Sequence, residues 1–373
     1  MKTEIHAAAT GRGKPEAIIY SLKDIFDGYD VELVTDKATD IDFAGKKVLC
    51  EHGTYEYDYL VISAGSKPAY FGIPGAEEYT LPFWTYNDAV ALKNKLDGQF
   101  AAAGKTRDPA ARKKLLSIYV IGAGLTGVEL AGELAEYIPI LCKRYKISRD
   151  DVSLYDVDAL PRAISNFPEK LSARCDKILT ELGVNMQYNV KVKAVSDGCM
   201  EYEQDGKTCT VDTGLVIWTA GITANDITQK AAEHLEHSKG FRLVEGGTLQ
   251  SVTDDSVFIA GDNMWYVPKG KKTSVPQMVE NCEQASSVVA KNIAAAITGK
   301  PLKVYHPHLH GAMISLGAKK GITYFGVDAF KIPLPSLPTQ IFKRAINIVY
   351  LAPVVGFDQL PKLIAHEFFA RRK

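Results

Sequence analysis

Tyr119-Val-Ile-Gly122-Ala-Gly124-Leu-Thr-Gly127-Val-Glu129 decides the fold. A strand-like run ends in G-x-G-x-x-G, and apolar residues then recur at helical spacing (Val128, Leu130, Ala131, Leu134). Gly122 permits a tight turn, Gly124 lets a diphosphate approach the backbone, and Gly127 lets helix and strand pack closely. Leu125 and Thr126 open the helix, whose unpaired N–H groups carry a partial positive charge suited to phosphate. The next strand, Val152-Ser-Leu-Tyr-Asp156, carries a carboxylate that suits a ribose 2′-OH and repels a 2′-phosphate, which favours NADH over NADPH. Asp156 follows Gly122 by 34 residues, beyond the usual spacing of about 20, and the Ile138–Asp150 stretch accounts for the surplus.

Outward from this unit, the chain of 373 residues is long enough for two domains and an extension. Lys+Arg and Asp+Glu both number 44, so no global field draws the protein to nucleic acid. Six scattered cysteines with no C-x-x-C pair argue against a disulfide framework, a redox dithiol and a zinc site, and no metal is expected. No apolar h-region follows Met1, and no run reaches the length of a spanning helix.

Periodicity predicts a helix over residues 12–30, with Pro15 near its start, and short strands at Val31–Val34, Lys47–Cys50 and Tyr59–Ser63. A helix begins at Asn87-Asp88, Gly104–Lys114 reads as a surface connection, and Val190–Val195, Cys199–Glu203 and Thr208–Val211 read as a meander. A further helix is expected from Pro276 to Thr298.

Three apolar strands end in small-residue turns: Ile62-Ser-Ala64-Gly65-Ser66, Val216-Ile-Trp-Thr-Ala220-Gly221 and Phe258-Ile-Ala-Gly261-Asp262. They resemble the recurring signatures of two-dinucleotide flavoproteins in the pyridine nucleotide-disulfide oxidoreductase-like FAD/NAD(P) superfamily. Gly127-Val-Glu-Leu-Ala-Gly-Glu-Leu134, Ile138-Pro-Ile-Leu-Cys142 and Val289-Ala-Lys-Asn-Ile293 narrow the resemblance to type II NADH dehydrogenases, monotopic NADH:quinone oxidoreductases, over about residues 5–330.

The resemblance implies an α/β fold of two nested Rossmann-like dinucleotide-binding domains, the first incomplete, with a C-terminal extension. The flavin-type domain spans 1–84 and 213–300, the NADH domain 85–212, and the extension 301–373. It implies FAD beside Ala64, Gly65, Ser66, Gly261, Asp262 and Val279. NADH lies on Gly122, Gly124, Leu125, Thr126, Gly127, Asp156, Ala220 and Gly221, with Glu129 near the nicotinamide. Such proteins open with a further G-x-G-x-x-G element for the adenosine half of FAD; here the chain starts in the segment that normally follows, so the expectation is a truncated chain with weak or absent flavin. The family's quinone motif, aligned without gaps, becomes Val279-Glu280-Asn-Cys-Glu-Gln284-Ala285-Ser286. Glu280 is either a proton relay beside Gln284 or a helix-start acid favoured by the dipole. The expected activity is electron transfer from NADH through FAD to quinone. A soluble NADH:flavin oxidoreductase with another acceptor and a non-catalytic NADH-binding remnant stand as alternatives.

Glu133, four residues after Glu129, reads as a solvent acid, and Cys282 as a small buried helix residue. His306, His308 and His310 alternate, and read as a polar surface strand. Ile332–Pro338 reads as a proline-rich linker. The apolar stretch Ala345–Val355, with Lys343, Arg344 and Arg371-Arg372-Lys373, suits either a helix lying in a membrane interface or a dimer-interface or core-covering pair. A homodimer, cytoplasmic and peripheral on the inner face of the cell membrane, is expected.

Overall fold

The computed structural model describes residues 2–13, 18–327, 330–332 and 336–368. Contacts divide the chain into two compact units: Met1–Val31, Tyr70–Gly221 and Gly311–Lys373 form one, and Glu32–Ala69 and Ile222–His310 the other.

In the first unit five parallel strands lie in the order Leu81–Pro82, Leu215–Trp218, Ser117–Ile121, Ser153–Val157, Asn185–Gln187. Every residue of the central strand Ser117–Ile121 is buried, as a continuous apolar run in a parallel sheet requires. Its turn opens the helix Leu125–Tyr145, which buries Val128, Leu130, Leu134 and Ile138 completely. Each such side chain contributes about 1.5–3 kcal/mol of transfer free energy. The helix Tyr86–Lys105 starts at a capping box between Thr85 and Asp88 and buries Leu92, Leu96 and Phe100. The meander Val190–Ser196, Cys199–Gln204, Lys207–Asp212 forms an antiparallel sheet as read from the sequence.

The second unit pairs Leu60–Ile62 with Val257–Ile259 in parallel and carries an antiparallel hairpin sheet, Ala38–Asp42, Lys47–Cys50, Thr54–Glu56. Leu243, Leu249, Val257, Phe258, Ile259 and Met264 are its fully buried centre, and the helix Val279–Ile297 packs Ala285 and Val289 into it.

The contact units differ from the three-part division of the sequence. The N-terminal helix Ile5–Ala9 and the strand Gly311–Leu316 both pack against the helix Leu125–Tyr145, so both segments join the first unit. At Gly132 a Cβ would stand 2.7 Å from the Gly317 nitrogen, which shows how closely helix and strand approach.

Several local expectations are corrected. Of the helix expected over 12–30, only Leu22–Ile25 is an α-helix among the described residues; Ile19 and Leu22 are exposed, and a short helix without a packed apolar face does not persist. Pro15 lies outside the described residues. Val31–Val34 pairs with no strand among the described residues. Within Gly104–Lys114, Asp108 caps a helix with Pro109 in its first turn, Pro109–Leu115. The later helix starts at Val279, not Pro276. Residues 301–310 form no strand. Ser336, inside the expected linker, already begins the helix Ser336–Val355, which is followed by Leu360–Phe368. Pro333, Pro335 and Arg371-Arg372-Lys373 lie outside the described residues.

Candidate functional site

In the first unit the glycine loop is built as its spacing predicts. Gly122 has φ +110°, and a Cβ there would stand 2.8 Å from Ala220 Cα; a Cβ at Gly127 would stand 1.8 Å from the Gly122 oxygen. Gly124 differs: no atom lies within 4 Å of its Cβ position, so the space beside it is open to a ligand. Thr219 Oγ1 donates to the carbonyls of Ile121 and Gly122, at 2.8 and 2.9 Å, and ties the loop to the turn Ala220-Gly221. Leu125 and Thr126 form the first, partly exposed turn of the helix.

Asp156 is corrected. It is fully buried, neither carboxylate oxygen has a hydrogen-bond partner among the described residues, and burial first, then Asp158 and Asp176, push its carboxyl well above the usual range. A carboxyl enclosed beneath the sheet reaches no ribose. The acid past the strand end is Asp158, whose Oδ2 accepts from the Ala123 N–H at 2.7 Å and whose Oδ1 accepts from Leu160 N–H at 2.8 Å. Sequence reasoning took the first carboxylate of Asp156-Val-Asp158. Alternation puts both acids on one face of the strand, and what separates them is that Asp156 lies inside the strand and Asp158 just past its end, a boundary that local pattern does not fix.

Glu129 lies in a buried polar cluster. It accepts from Lys343 Nζ and from the Ser315 N–H (3.0 Å) and hydroxyl (3.2 Å), and His6 Nδ1 lies 3.9 Å away. Burial alone raises a carboxyl; Lys343, His6 and the Ser315 N–H outweigh it and hold Glu129 below its ordinary value. Burial, the largest cause, lowers the His6 pKa. Lys343 is therefore a core cation and not the lipid-facing charge read from the tail, a second correction. Glu133 is a third: it is 2 % exposed and binds the Arg12 guanidinium, with Nε donating at 2.9 Å, and Thr10. Residue spacing alone gave no sign of these partners, which lie more than a hundred positions away in sequence.

In the second unit Ala64-Gly65-Ser66 and Gly261-Asp262 meet at the ends of the paired strands Leu60–Ile62 and Val257–Ile259. Ser66 Oγ donates to Asp262 Oδ2 at 2.9 Å. Asn263, fully buried and absent from the sequence reading, accepts from Gly65 N–H (3.2 Å) and donates to the Ile62 carbonyl (2.8 Å). Gly65 has φ +73° and open space where a Cβ would stand, as a backbone lying against a ligand requires. Gln277 Nε2 donates to the Asp262 carbonyl at 2.7 Å, and Val279, half exposed, opens the 19-residue helix. Cys282 Sγ lies 3.9 Å from Asp262 Oδ1, and burial pushes its thiol up to about 11, as befits an unreactive side chain. This set of small residues, carboxylate and helix start fits the flavin end of FAD.

Along the same helix Glu280 accepts from the His310 backbone N–H at 3.1 Å and bonds His310 Nδ1. Gln284 exchanges two hydrogen bonds with the His308 backbone, at 2.7 and 2.9 Å. Among the described residues no group of histidines, cysteines and acids is placed to hold a metal ion.

Residues 5–286 match the family described as pyridine nucleotide-disulphide oxidoreductase. The chain is 29 % identical over 322 residues to the type II NADH:quinone oxidoreductase of Staphylococcus haemolyticus (strain JCSC1435), covering 86 % of this chain and 78 % of that protein. It is likewise 29 % identical to the protein of that name from Staphylococcus aureus (strain MSSA476), over 92 % of this chain and 84 % of the relative. The structure of NDH2 from Plasmodium falciparum in complex with NADH superposes with a TM-score of 0.86 at 16 % identity, covering 100 % of this chain and 92 % of that one. The sulfide:quinone oxidoreductase from Aquifex aeolicus superposes at 0.76 and 21 % identity, covering 100 % and 87 %. The chain belongs to the pyridine nucleotide-disulphide oxidoreductase family.

Proposed function

We propose that the protein is an FAD-dependent NADH dehydrogenase that passes electrons to a quinone, the activity named in its relatives. The observation that carries the reading is the first unit's cradle: a glycine loop open at Gly124, with the Asp158 carboxylate fixed to its Ala123 N–H.

In this reading Gly122–Gly127 and the helix start bind the nicotinamide dinucleotide's diphosphate, and Asp158 takes the adenosine ribose hydroxyls and disfavours a 2′-phosphate. Ala64, Gly65, Ser66, Gly261, Asp262 and Val279 hold the flavin, with Asp262 accepting from sugar hydroxyls. When bound, FAD supplies a two-electron carrier between nicotinamide and quinone. Reducing a quinone with NADH takes up one proton beyond the transferred hydride, and one side-chain pair of the chain suits its delivery. Glu280 and His310 form a carboxylate–imidazole pair whose imidazole side is about half exposed.

The helix Ser336–Val355 presents Leu337, Ile341, Phe342, Val349 and Val354 to the surface, and Phe357 just after it is exposed too. We assign this apolar face to docking on the membrane, where quinone resides, with the protein peripheral on the inner face and forming a homodimer. No helix among the described residues is long and apolar enough to cross a membrane.

The test is NADH oxidation by the full chain supplied with FAD in excess and a water-soluble quinone. Oxidation that stops when the quinone is omitted supports the reading. No quinone-dependent oxidation, or equal use of NADPH, overturns it.

A further inference from the structure

Phe71 is placed against the usual preferences of a large apolar side chain. It is 69 % exposed, so its position gains little from burial. It also has φ +54°, followed by Gly72 at φ +68°, and Ile73 N–H donates to the Tyr70 carbonyl at 3.0 Å. These make a tight turn with two left-handed central residues, the type that selects Asn-Gly or Gly-Gly. A bulky residue held there is strained, and such strain persists where the surroundings over-determine it and points toward a functional role.

The surroundings are explicit. Tyr70 packs on Trp218, ring centroids 5.6 Å apart, which anchors the turn to the end of the strand Leu215–Trp218. The Phe71 ring tip then abuts Gly221, where a Cβ would stand 2.1 Å from Cζ, so no side chain at that position is compatible with the ring. Gly221 in turn follows Ala220, which lies against Gly122 of the glycine loop.

Sheet order supplies the direction. The strand leading to Asp158 lies on one side of the loop strand Ser117–Ile121, and Leu215–Trp218 lies on the other. A dinucleotide with its adenosine ribose at Asp158 and its diphosphate on the loop therefore continues toward Ala220-Gly221. Its nicotinamide riboside arrives beside an exposed aromatic ring.

Resting on the NADH reading above, we propose that the Phe71 ring is the platform against which the nicotinamide end of the dinucleotide is held. The strained turn fixes the ring in the free protein, so binding does not have to order it.

The experiment compares NADH with ADP-ribose, which lacks nicotinamide, by calorimetric titration of the full chain. Phe71→Leu is expected to weaken NADH about tenfold, the scale of one lost stacking contact, and to leave ADP-ribose unchanged. Phe71→Tyr is expected to restore NADH affinity. Unchanged NADH affinity in Phe71→Leu, or equal weakening of both nucleotides, overturns the platform while leaving the NADH reading intact. Wild-type protein that binds neither nucleotide overturns that reading, and the platform with it.

Discussion

The Asp158 carboxylate accepts a hydrogen bond from the Ala123 N–H at 2.7 Å, joining the end of one strand to the glycine loop of its neighbour. Two residues earlier, Asp156 is sealed in the sheet with no hydrogen-bond partner among the described residues. The two acids therefore answer to different measurements. Asp158→Ala is expected to weaken NADH about tenfold and to relax discrimination against NADPH, read by titration.

Asp156→Asn is expected to leave nucleotide affinity alone and to change stability. The folded carboxyl titrates above its unfolded value of about 3.9, so the folded state binds the extra proton and stability falls as pH rises from there. Removing the group should stabilise the protein at pH 7 and not near pH 4. Denaturant unfolding at the two pH values checks this, and a variant less stable at pH 7 would refute it.

Gly124 and Gly127 separate binding from packing. Gly124→Ala places a methyl in open space, so unfolding should be unchanged while NADH affinity drops tenfold or more as the diphosphate is pushed off the backbone, on the order of 1.4 kcal/mol. Gly127→Ala drives a methyl into the Gly122 carbonyl and should destabilise by about 1–3 kcal/mol. Equal thermal shifts for the two would contradict the assignment.

Lys343→Met leaves Glu129 buried without its cation, and about 3–5 kcal/mol of unfolding free energy should be lost. Glu129→Gln in the same chain should recover part of it. The depressed carboxyl contributes stability above the unfolded value near pH 4.3, and that contribution is lost as pH falls through the lower folded value. The single variant should lack this acid-side decline, visible in unfolding curves between pH 3 and 6 on the order of the reference values.

Glu280→Gln and His310→Asn test proton delivery. Turnover with quinone should fall about a hundredfold, whereas NADH oxidation by ferricyanide, which takes no proton, should hold. Parallel loss with both acceptors would mean that the pair only positions the cofactor site.

The parallel strand, tight turn and helix at Ser117–Tyr145 were legible because each step is local: apolar run, glycine spacing, helical period. The meander and the strand ends at Ala64-Gly65 and Gly261-Asp262 were legible for the same reason. The helix expected over 12–30 failed because periodicity promises a face, not a surface to bury it against.

What the sequence determined by itself is the dinucleotide loop and the family's signature turns, since backbone conformation there depends on glycine and on immediate neighbours. Tertiary structure alone decided that Asp158 and not Asp156 faces the loop, that Lys343 lies in the core against Glu129, and that Glu133 binds Arg12. Those choices turn on desolvation: a charge is kept inside only where a partner from a distant segment meets it, and no local pattern encodes that meeting.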